Sequence, residues 1–257
     1  MAVENLMRYE LVDGVAVLTM QRPPVNAVNH ALVDAIHAAF RAADADPSVR
    51  AIVLTSAFDR AFSGGMDLEV MKDADGLKLR TFLDKFYMGT LDLQYRLSKP
   101  TIAAVNGPAR GAGVTLAVTC DMIVMADETD LGYPEINVGL IPAIHFVHLP
   151  LQIGRHKAFE LLFTGEPLPA REAAALGLIN HAVPGASLMP RALDLARTMA
   201  GKAPTVMRLG RASYLRANDL DYRRNIENQI ETMCNIMATD DAKEGIRAFM
   251  EKRKPHW

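Results

Sequence analysis

The sequence predicts an α/β fold. Short apolar runs with strand character alternate along the chain with segments that have the apolar spacing of amphipathic helices. The chain has 257 residues, of which 50% are hydrophobic and 23% charged, so it is long enough to bury a large core. Together these observations predict one soluble domain with a smaller appended element.

The first third of the chain contains two predicted strands and one predicted helix. The alternating run Gly14–Thr19 predicts a first strand, and the apolar spacing of Ala31–Ala43 predicts an amphipathic helix. The β-branched run Ala51–Thr55 predicts the next strand. This strand leads through Ala61-Phe62 into Ser63-Gly64-Gly65-Met66-Asp67, a turn with little side-chain bulk.

A second turn of the same character follows the predicted strand Thr101–Val105. Asn106-Gly107-Pro108 ends this strand, and Gly111-Ala112-Gly113 then leaves the backbone almost bare. The apolar run Val114–Cys120 predicts a helix, and Asp121–Met125 predicts another strand. The backbone N–H groups at the start of that helix are accessible to a ligand atom and suit an anion.

The tail of the chain predicts helices. Residues Thr205–Met250 are rich in Arg, Met and Leu and indicate amphipathic helices without long loops. An amphipathic helix must bury its apolar stripe, either against the rest of its own chain or against another subunit. The residues leave both alternatives open.

The two turns with little side-chain bulk suggest a common role. If the strands before them lie in one sheet, the N–H groups of Met66 and Ala112 converge on one oxygen, as an oxyanion hole requires. The alternative is that the small residues only let a helix pack closely on the sheet. Each turn taken singly favours this second interpretation.

Five segments, in order along the chain, resemble the crotonase family of enoyl-CoA hydratases and isomerases. They are RPPVNAVN at Arg22–Asn29, AFSGGMDLEVM at Ala61–Met71, the segment Lys99–Pro142, LFTGEPLPAREAAALGLINHAVP at Leu162–Pro184, and FMEKRKP at Phe249–Pro255. The resemblance implies a crotonase-like spiral of ββα units over residues 1–199, which holds the acyl-CoA site. A C-terminal helical oligomerisation region would follow over residues 200–257. Similar proteins form homotrimers, often paired into hexamers, and we expect such a homotrimer or dimer of trimers here.

The resemblance also implies the positions of a thioester site. The acyl carbonyl oxygen would accept hydrogen bonds from the N–H groups of Met66 and Ala112. Relatives often have glycine at the second position, but the donor is the backbone, so alanine serves as well. The CoA moiety would contact the positions that match the family motifs, which are Ala61, Ser63, Asp67, Leu68, Phe249 and Lys252.

One departure from the family pattern bears on the reaction. Hydratases of this family use two carboxylates, and this chain has Thr115 at the first acid position while Glu135 occupies the second. A threonine hydroxyl is not a base near pH 7, and losing a general acid–base group costs ~10²–10⁴-fold in rate. A double-bond shift from the 3,4 to the 2,3 position needs one base, and some isomerases similar to this chain use a lone glutamate.

We therefore predict a single-glutamate enoyl-CoA isomerase with Glu135 as the catalytic base. Two alternatives remain, which are an enoyl-CoA hydratase with a substitute acid or base and a non-catalytic acyl-CoA binder. Enclosure of Glu135 by Ile136, Val138, Leu140 and Ile141 would raise the pKa of its carboxyl by desolvation. The sequence does not specify which acyl group the substrate carries, because fatty-acid, aromatic-acid and branched amino-acid breakdown all supply thioesters to similar enzymes.

Two further residues are possible auxiliaries. Thr115 could orient a water molecule through its hydroxyl. His145 and His148 lie where relatives often have small residues. His145 either narrows the acyl pocket or supplies the missing acid or base. The alternative for both histidines is a packed or surface side chain without a catalytic role.

Composition argues against other function classes. The net charge of −2 argues against a general nucleic-acid binder. The chain has two cysteines, Cys120 and Cys234, without a CxxC pair, a secretory signal or an 18-residue apolar span, which predicts a cytoplasmic protein that does not bind membranes. Metal, nucleotide and hydrolase motifs are missing from the sequence. We therefore expect no metal and no cofactor, the CoA being part of the substrate.

Overall fold

In the computed structural model, which describes residues 6–72, 76–218 and 221–256, nine strands form two sheets. The six-stranded sheet has the order β1-β2-β3-β4-β6-β9 and is parallel except at β1. Its strands are β1 (Met7–Val12), β2 (Val15–Met20), β3 (Ala51–Ser56), β4 (Thr101–Val105), β6 (Met122–Ala126) and β9 (His181–Val183). The three-stranded sheet contains β5 (Ala109–Arg110), β7 (Asp130–Gly132) and β8 (Leu168–Pro169).

Helices connect the strands and make up most of the second half of the chain. Those of the first half are α1 (His30–Ala45), α2 (Glu69–Lys72), α3 (Gly76–Leu83), α4 (Gly89–Arg96) and α5 (Ala112–Val118). Those of the second half are α6 (His145–Ile153), α7 (Arg155–Thr164), α8 (Ala170–Ala175), α9 (Gly185–Ala200), α10 (Pro204–Ala217), α11 (Tyr222–Met237) and α12 (Asp240–Met250). A π-helical turn (Asp84–Met88) joins α3 to α4, and a 3₁₀ helix (Pro134–Val138) follows β7.

The fold opens with a hairpin that the sequence analysis missed. The strand predicted at Gly14–Thr19 is β2, and β1 precedes it and pairs with it in antiparallel register, Val12 opposite Val15. Asp13 and Gly14 form the connecting two-residue turn, both with positive φ (51° and 76°). An Asp-Gly pair between alternating apolar residues favours such a turn, because its twist matches that of the strands.

The other predicted elements of the first half are present, and most of them begin or end at a different residue than predicted. Strand β4 has the predicted bounds, and β6 begins one residue later than predicted. Helix α5 begins at Ala112 rather than Val114 and ends at Val118 rather than Cys120. The earlier start follows from Gly111, which has φ of 43° and lies just before the first helical residue.

Strands β3 and β4 are buried on both faces, which explains their unbroken apolar sequences. On one face Ile52, Leu54 and Ala103 join the main hydrophobic core with α1 and α5. On the other face Val53 and Ile102 pack against the apolar side of α9. Successive side chains of a strand point to opposite faces, so each strand contributes to both cores.

The sheet order places the two turns with little side-chain bulk side by side. Strands β3 and β4 are parallel neighbours, with Ile52 opposite Thr101, so the segments that follow them leave from the same edge. The amide of Arg110 donates to the carbonyl of Ser63 at 3.0 Å, which joins the two segments directly. The two strands therefore lie in one sheet, which is the condition on which convergence of the Met66 and Ala112 amides depends.

The small sheet brings a third segment to this edge. Arg110 of β5 pairs with Gly132 of β7, and the amide of Gly111 donates to the carbonyl of Gly132 at 2.9 Å. Three residues after Gly132 the chain reaches Glu135 in the 3₁₀ helix. The pairing of two short strands therefore places Glu135 beside the start of α5.

The C-terminal helices pack onto the same core as the strands. Ile226 and Ile230 of α11 and Ile246 of α12 belong to the main hydrophobic cluster. The buried guanidinium of Arg211 on α10 donates to the Asp121 carboxylate at 2.8 Å. It also donates to two backbone carbonyls, one in the last turn of α4 and one just after that helix. Because these helices share the core, a division between residues 199 and 200 stays a prediction. Within the described ranges, no helix combines the length and apolar character needed to cross a membrane.

Candidate active site

A cavity of about 510 Å³ opens where the segments after β3, β4 and β7 meet. Its wall includes Gly65, Met66, Gly111, Ala112 and Glu135, which lie in three separate parts of the sequence. Met233 of α11 and Phe249 of α12 also line it, so the C-terminal helices help to form the cavity. The predicted oxyanion donors and the predicted base thus share one cavity.

The first candidate donor is the amide of Met66. The carbonyl of Gly65, which belongs to the same peptide group, accepts a hydrogen bond from the Val28 amide at 2.7 Å. Asp67 donates its own amide to the Val28 carbonyl at 2.9 Å, so the chain around Met66 is held on both sides. Among the described residues, no acceptor takes the Met66 amide proton. This amide is therefore available to a ligand in the cavity.

The second candidate donor is the amide of Ala112, the first residue of α5. The first N–H groups of a helix have no acceptor within the helix, and none of the described residues accepts this proton. A Cβ at Gly113 would lie 2.7 Å from the carbonyl oxygen of Ser63, so glycine lets α5 approach the turn after β3. The close approach brings the two donors to the same cavity wall.

Glu135 has the electrostatic character expected of a base. Burial raises the pKa of its carboxyl to about 7. Its Oε2 atom is buried and accepts no hydrogen bond from the described residues. Val138, Leu140 and Ile141 line the cavity with it, as predicted, whereas Ile136 is not part of the wall.

Gly111 makes room for this carboxylate. A Cβ at position 111 would lie 2.1 Å from Oε1 of Glu135, and the φ of 43° is one that residues with side chains rarely adopt. Glycine at this position is therefore required both by the backbone and by the carboxylate. The carboxylate of Glu135, the predicted base, therefore lies beside the peptide that carries the Ala112 amide, the second candidate donor.

Thr115 and His145 lie behind the cavity wall rather than in it. Both are buried, with exposures of 0% and 1%, and neither belongs to the lining. The Thr115 hydroxyl is enclosed in the core, 3.4 Å from Nε2 of His145. His145 contacts the carbonyl of Gly111 through Nε2 at 3.3 Å. The structure therefore gives neither residue the direct access to substrate that a water-orienting group or substitute base needs.

The predicted CoA contacts divide into two groups. Asp67, Leu68, Phe249 and Lys252 line the cavity. Ala61 and Ser63 do not, because both are buried beneath the turn, where the Ser63 hydroxyl donates to the Asn26 carbonyl at 2.8 Å. The CoA-binding role of all six residues stays a prediction.

Two residues of the site were missed by the sequence analysis. Tyr87 lines the cavity from the π-helical turn, and Asn26 holds the turn after β3 through bonds to Ser56 and to the carbonyl of Phe62. Asn26 lies in the quoted segment Arg22–Asn29, and its φ of 50° is typical of asparagine in tight turns. Nothing in the local sequence marks Tyr87, because its neighbours in space come from distant segments.

A second cavity, of about 230 Å³, lies between α10 and the segments that lead into β3 and β4. Basic side chains line it, including Arg50, Lys99, Lys202 and Arg208. None of the predicted site residues borders it, and the chemistry described above belongs to the larger cavity.

Comparisons with known proteins agree with this geometry. A sequence model of the family described as enoyl-CoA hydratase/isomerase matches residues 10–257. The chain is 33% identical over 259 residues to the crotonyl-CoA hydratase of Syntrophomonas wolfei, a match that covers 100% of this chain and 99% of that one.

Solved structures show the same similarity. The crystal structure of a carnitinyl-CoA hydratase from Mycobacterium avium superposes with a TM-score of 0.86 at 34% identity, covering 99% of this chain and 98% of the other. A carnitinyl-CoA dehydratase from the same species gives a TM-score of 0.84 at 36% identity, covering 98% of each chain. The predicted crotonase-like fold is confirmed, and the chain belongs to the enoyl-CoA hydratase/isomerase family as a crotonase-type enzyme.

Proposed function

We propose that this enzyme shifts the double bond of an enoyl-CoA thioester from the 3,4 to the 2,3 position, with Glu135 as its one acid–base group. The observation that supports the proposal most directly is the isolation of Glu135. It lies on the cavity wall with an unpartnered Oε2 and a raised pKa. Thr115, which occupies the first acid position of the two-carboxylate hydratases, lies outside that wall.

The proposed reaction moves one proton. The thioester carbonyl oxygen accepts hydrogen bonds from the Met66 and Ala112 amides, which stabilise negative charge on that oxygen. The carboxylate of Glu135 removes a proton from C2, and the electrons of the C–H bond form a dienolate. The same carboxylic acid returns the proton to C4 as the double bond forms between C2 and C3. Atoms and charge balance without a second group, and we expect no cofactor beyond the CoA of the substrate.

A raised pKa suits this task. A carboxylate with a pKa near 7 is a stronger base toward carbon than an ordinary glutamate, and it is still ionised in a large fraction of molecules at neutral pH. The apolar neighbours that raise the pKa also exclude water from the dienolate. The same burial therefore supports both proton removal and protection of the intermediate.

The CoA moiety would extend toward α12. Phe249 and Lys252 lie on the cavity wall at the end of this helix, and Lys252 makes no ion pair among the described residues. We propose that its ammonium group contacts a CoA phosphate and that the Phe249 ring packs against the adenine. Arg253 is committed elsewhere, since it forms two bonds to Glu244 at 2.6 and 3.0 Å.

Hydration of a 2-enoyl thioester is the second candidate. The names of the relatives favour it, since those reported above are called hydratases or a dehydratase. Water addition requires a group that positions and deprotonates water and one that protonates the α-carbon. Tyr87 also lines the cavity, but burial raises the pKa of its hydroxyl, so it is not a base at neutral pH. The remaining alternative is an acyl-CoA binder without catalytic activity.

One assay distinguishes these candidates. Purified enzyme is supplied with 3-enoyl-CoA and, separately, with 2-enoyl-CoA, and the products are identified by mass and by 2-enoyl absorbance. We expect 3-enoyl-CoA to be converted without a change in mass and 2-enoyl-CoA to gain no water. Efficient water addition would contradict the single-base reaction, and the absence of both reactions would favour the binder.

Replacement of the base tests the mechanism. The substitution Glu135→Gln keeps the size of the side chain, and we expect it to lower kcat by about 10²–10⁴-fold while CoA affinity stays within about twofold. The control is Glu166→Gln, which changes an exposed glutamate away from the cavity and should leave kcat unaltered. Turnover of the Glu135→Gln enzyme near the rate of the parent would overturn the proposed role.

A further inference from the structure

Three polar side chains form a hydrogen-bonded row that ends at the backbone of Gly111. Nδ1 of His148 lies 2.9 Å from Oε1 of Gln152, and Nε2 of His148 lies 2.8 Å from Nδ1 of His145. Nε2 of His145 then lies 3.3 Å from the carbonyl oxygen of Gly111 and 3.4 Å from the Thr115 hydroxyl. None of the four side chains borders the cavity, so the proton transfer proposed above does not use them.

Both histidines are neutral in these surroundings. Burial lowers the pKa of His148 to about 4 and that of His145 well below its ordinary value. A neutral imidazole has one donor nitrogen and one acceptor nitrogen, so all hydrogen bonds of this row must run in the same direction. The carbonyl of Gly111 at its end can only accept, which indicates that Nε2 of His145 carries the proton.

The protonation of the other ring nitrogens follows from that of Nε2 of His145. Nδ1 of His145 accepts from Nε2 of His148, and Nδ1 of His148 accepts in turn. Its partner must then be the amide nitrogen of Gln152, since the oxygen and nitrogen of a glutamine amide are distinguished only by their hydrogen bonds. With this orientation every ring nitrogen has a complementary partner, and the Gly111 carbonyl gains a second donor beside the Thr115 amide. The reverse orientation, with the Gln152 oxygen accepting and the Thr115 hydroxyl donating to Nε2 of His145, also pairs the rings but leaves this carbonyl with one donor.

The carbonyl at the end of this hydrogen-bonded row belongs to a peptide group that lines the cavity. The carbonyl of Gly111 and the amide N–H of Ala112 are parts of one planar peptide unit, so fixing one fixes the direction of the other. Gly111 has φ of 43° and ψ of −108°, outside the regular helix and strand regions, and a glycine rotates easily about these bonds. The bonds from Thr115 N–H, at 3.1 Å, and from His145 occupy both lone pairs of this carbonyl.

We propose that His145 is a positioning residue that orients and polarises the Gly111–Ala112 peptide, and so sets the donor strength of the Ala112 amide toward the thioester carbonyl. Hydrogen bonds in series strengthen one another, so donation into the Gly111 carbonyl makes the Ala112 N–H a better donor. The Gly65–Met66 peptide is held similarly, since the Val28 amide donates to the Gly65 carbonyl. The proposal rests on the thioester site described under the proposed function.

The test uses a ligand that cannot react. Butyryl-CoA labelled with ¹³C at the thioester carbonyl has no double bond to shift or hydrate. The frequency of its carbonyl stretch in infrared difference spectra falls as hydrogen bonds to the oxygen strengthen. We expect the native enzyme to lower this frequency and His145→Leu to lose part of the shift. His145→Gln, which retains an N–H donor near the position of Nε2, should restore it.

Kinetics provide the second readout. We expect His145→Leu to lower kcat about tenfold, while the Kd for butyryl-CoA stays within about twofold, since donor orientation matters most in the transition state. The control is His37→Leu, which removes another buried histidine that bonds to a threonine, Thr90, at 2.9 Å. It should lower stability but leave the carbonyl frequency unaltered, because His37 bonds to a side chain of α4 and not to a peptide group that lines the cavity.

The outcomes separate this proposal from the proposed function. If native enzyme binds butyryl-CoA without lowering the carbonyl frequency, the oxyanion site itself is refuted, and this inference with it. If the native enzyme lowers the frequency and His145→Leu lowers it equally, the positioning role alone is refuted.

A measurement on the native protein decides the matter if His145→Leu does not fold. Nitrogen-15 magnetic resonance of ring-labelled histidine distinguishes protonated from bare ring nitrogens. A protonated Nε2 on His145 supports the proposal, and a bare Nε2 that accepts from the Thr115 hydroxyl overturns it.

Discussion

At the residue scale, the site depends on a glycine as much as on an acid. Glu135 supplies the carboxylate, but its place beside the Ala112 amide exists because position 111 has no side chain. The backbone of Gly111 also turns the peptide that carries this amide. One glycine therefore lets the predicted base lie beside the predicted donor and permits the backbone angles at which this peptide is found.

This dependence leads to a first prediction at the same scale. The substitution Gly111→Ala places a methyl group 2.1 Å from Oε1 of Glu135, so the carboxylate must move and we expect kcat to fall about 10²-fold or more. The matched control is Gly177→Ala, since Gly177 has φ of 80° and open space where a Cβ would lie. Both variants should lose about 1 kcal/mol of stability from backbone strain, but only the first should lose activity. Equal activity of the two variants would contradict the proposed geometry.

The raised pKa of Glu135 predicts how the rate depends on pH. The reaction uses the ionised carboxylate, so kcat/KM should rise about tenfold per pH unit well below pH 7 and level off above it. Tyr87 and Tyr133 lie near this carboxylate and stay neutral, because burial raises the pKa of both hydroxyls. Initial rates with 3-enoyl-CoA from about pH 5 to about pH 9 check this. A flat profile would show that Glu135 does not have the raised pKa in the free enzyme.

At the element scale, α12 supports the 3₁₀ helix that carries Glu135. Gly245 of α12 packs so closely that a Cβ there would lie 2.3 Å from the Val138 carbonyl oxygen. Gly139, with φ of 71°, ends the 3₁₀ helix against the first turn of α12, where a Cβ would lie 2.7 Å from the Asp241 carbonyl. The C-terminal helix thus fixes the segment that positions the base.

A pair of helical glycines tests this contact. Gly245→Ala should push α12 away from the 3₁₀ helix, lowering both the unfolding midpoint and kcat. Gly210→Ala is the matched control, because Gly210 lies inside α10 with open space around it. There alanine should raise stability by about 0.5–1 kcal/mol and leave kcat unaltered. Thermal unfolding and initial rates, measured on both variants, decide between a specific contact and a general effect of glycine in helices.

At the scale of the whole molecule, apolar side chains remain on the surface of the single chain. Leu151 and Phe159 are 70% and 59% exposed, and the ring of Phe163 stacks on Phe159 at 4.3 Å between centroids. Exposed apolar groups that lie together commonly mark an interface between proteins. This surface agrees with the expectation of a trimer or hexamer, which stays a prediction.

Light scattering on the purified protein tests that expectation. We expect a mass of three or six times that of one chain. If the aromatic surface on α7 is part of the interface, Phe159→Glu should lower the mass, whereas Leu77→Glu, on the exposed side of α3, should not. A mass of one chain for the unaltered protein would refute the oligomer, and an unchanged mass for Phe159→Glu would place the interface elsewhere.

The roles of Glu135 as the base and of Met66 and Ala112 as donors rest on the family resemblance and stay predictions. By itself the sequence was enough to predict the α/β order, the strands before both turns and the two turns with little side-chain bulk. Those features depend on residues close together in the chain, because turns, caps and alternating patterns reflect short-range backbone preferences. The Asp13-Gly14 turn was also a local signal, although the sequence analysis did not use it.

Only the tertiary structure decided which groups meet. The order of β3, β4 and β7 brings Met66, Ala112 and Glu135 to one cavity, and burial by residues distant in sequence raises the pKa of the carboxyl. The same structure places Thr115 and His145 behind the cavity wall, where His145 contacts the Gly111 carbonyl instead of a substrate. The physical reason is that desolvation and hydrogen bonding depend on neighbours in space, which a linear pattern of residues does not specify.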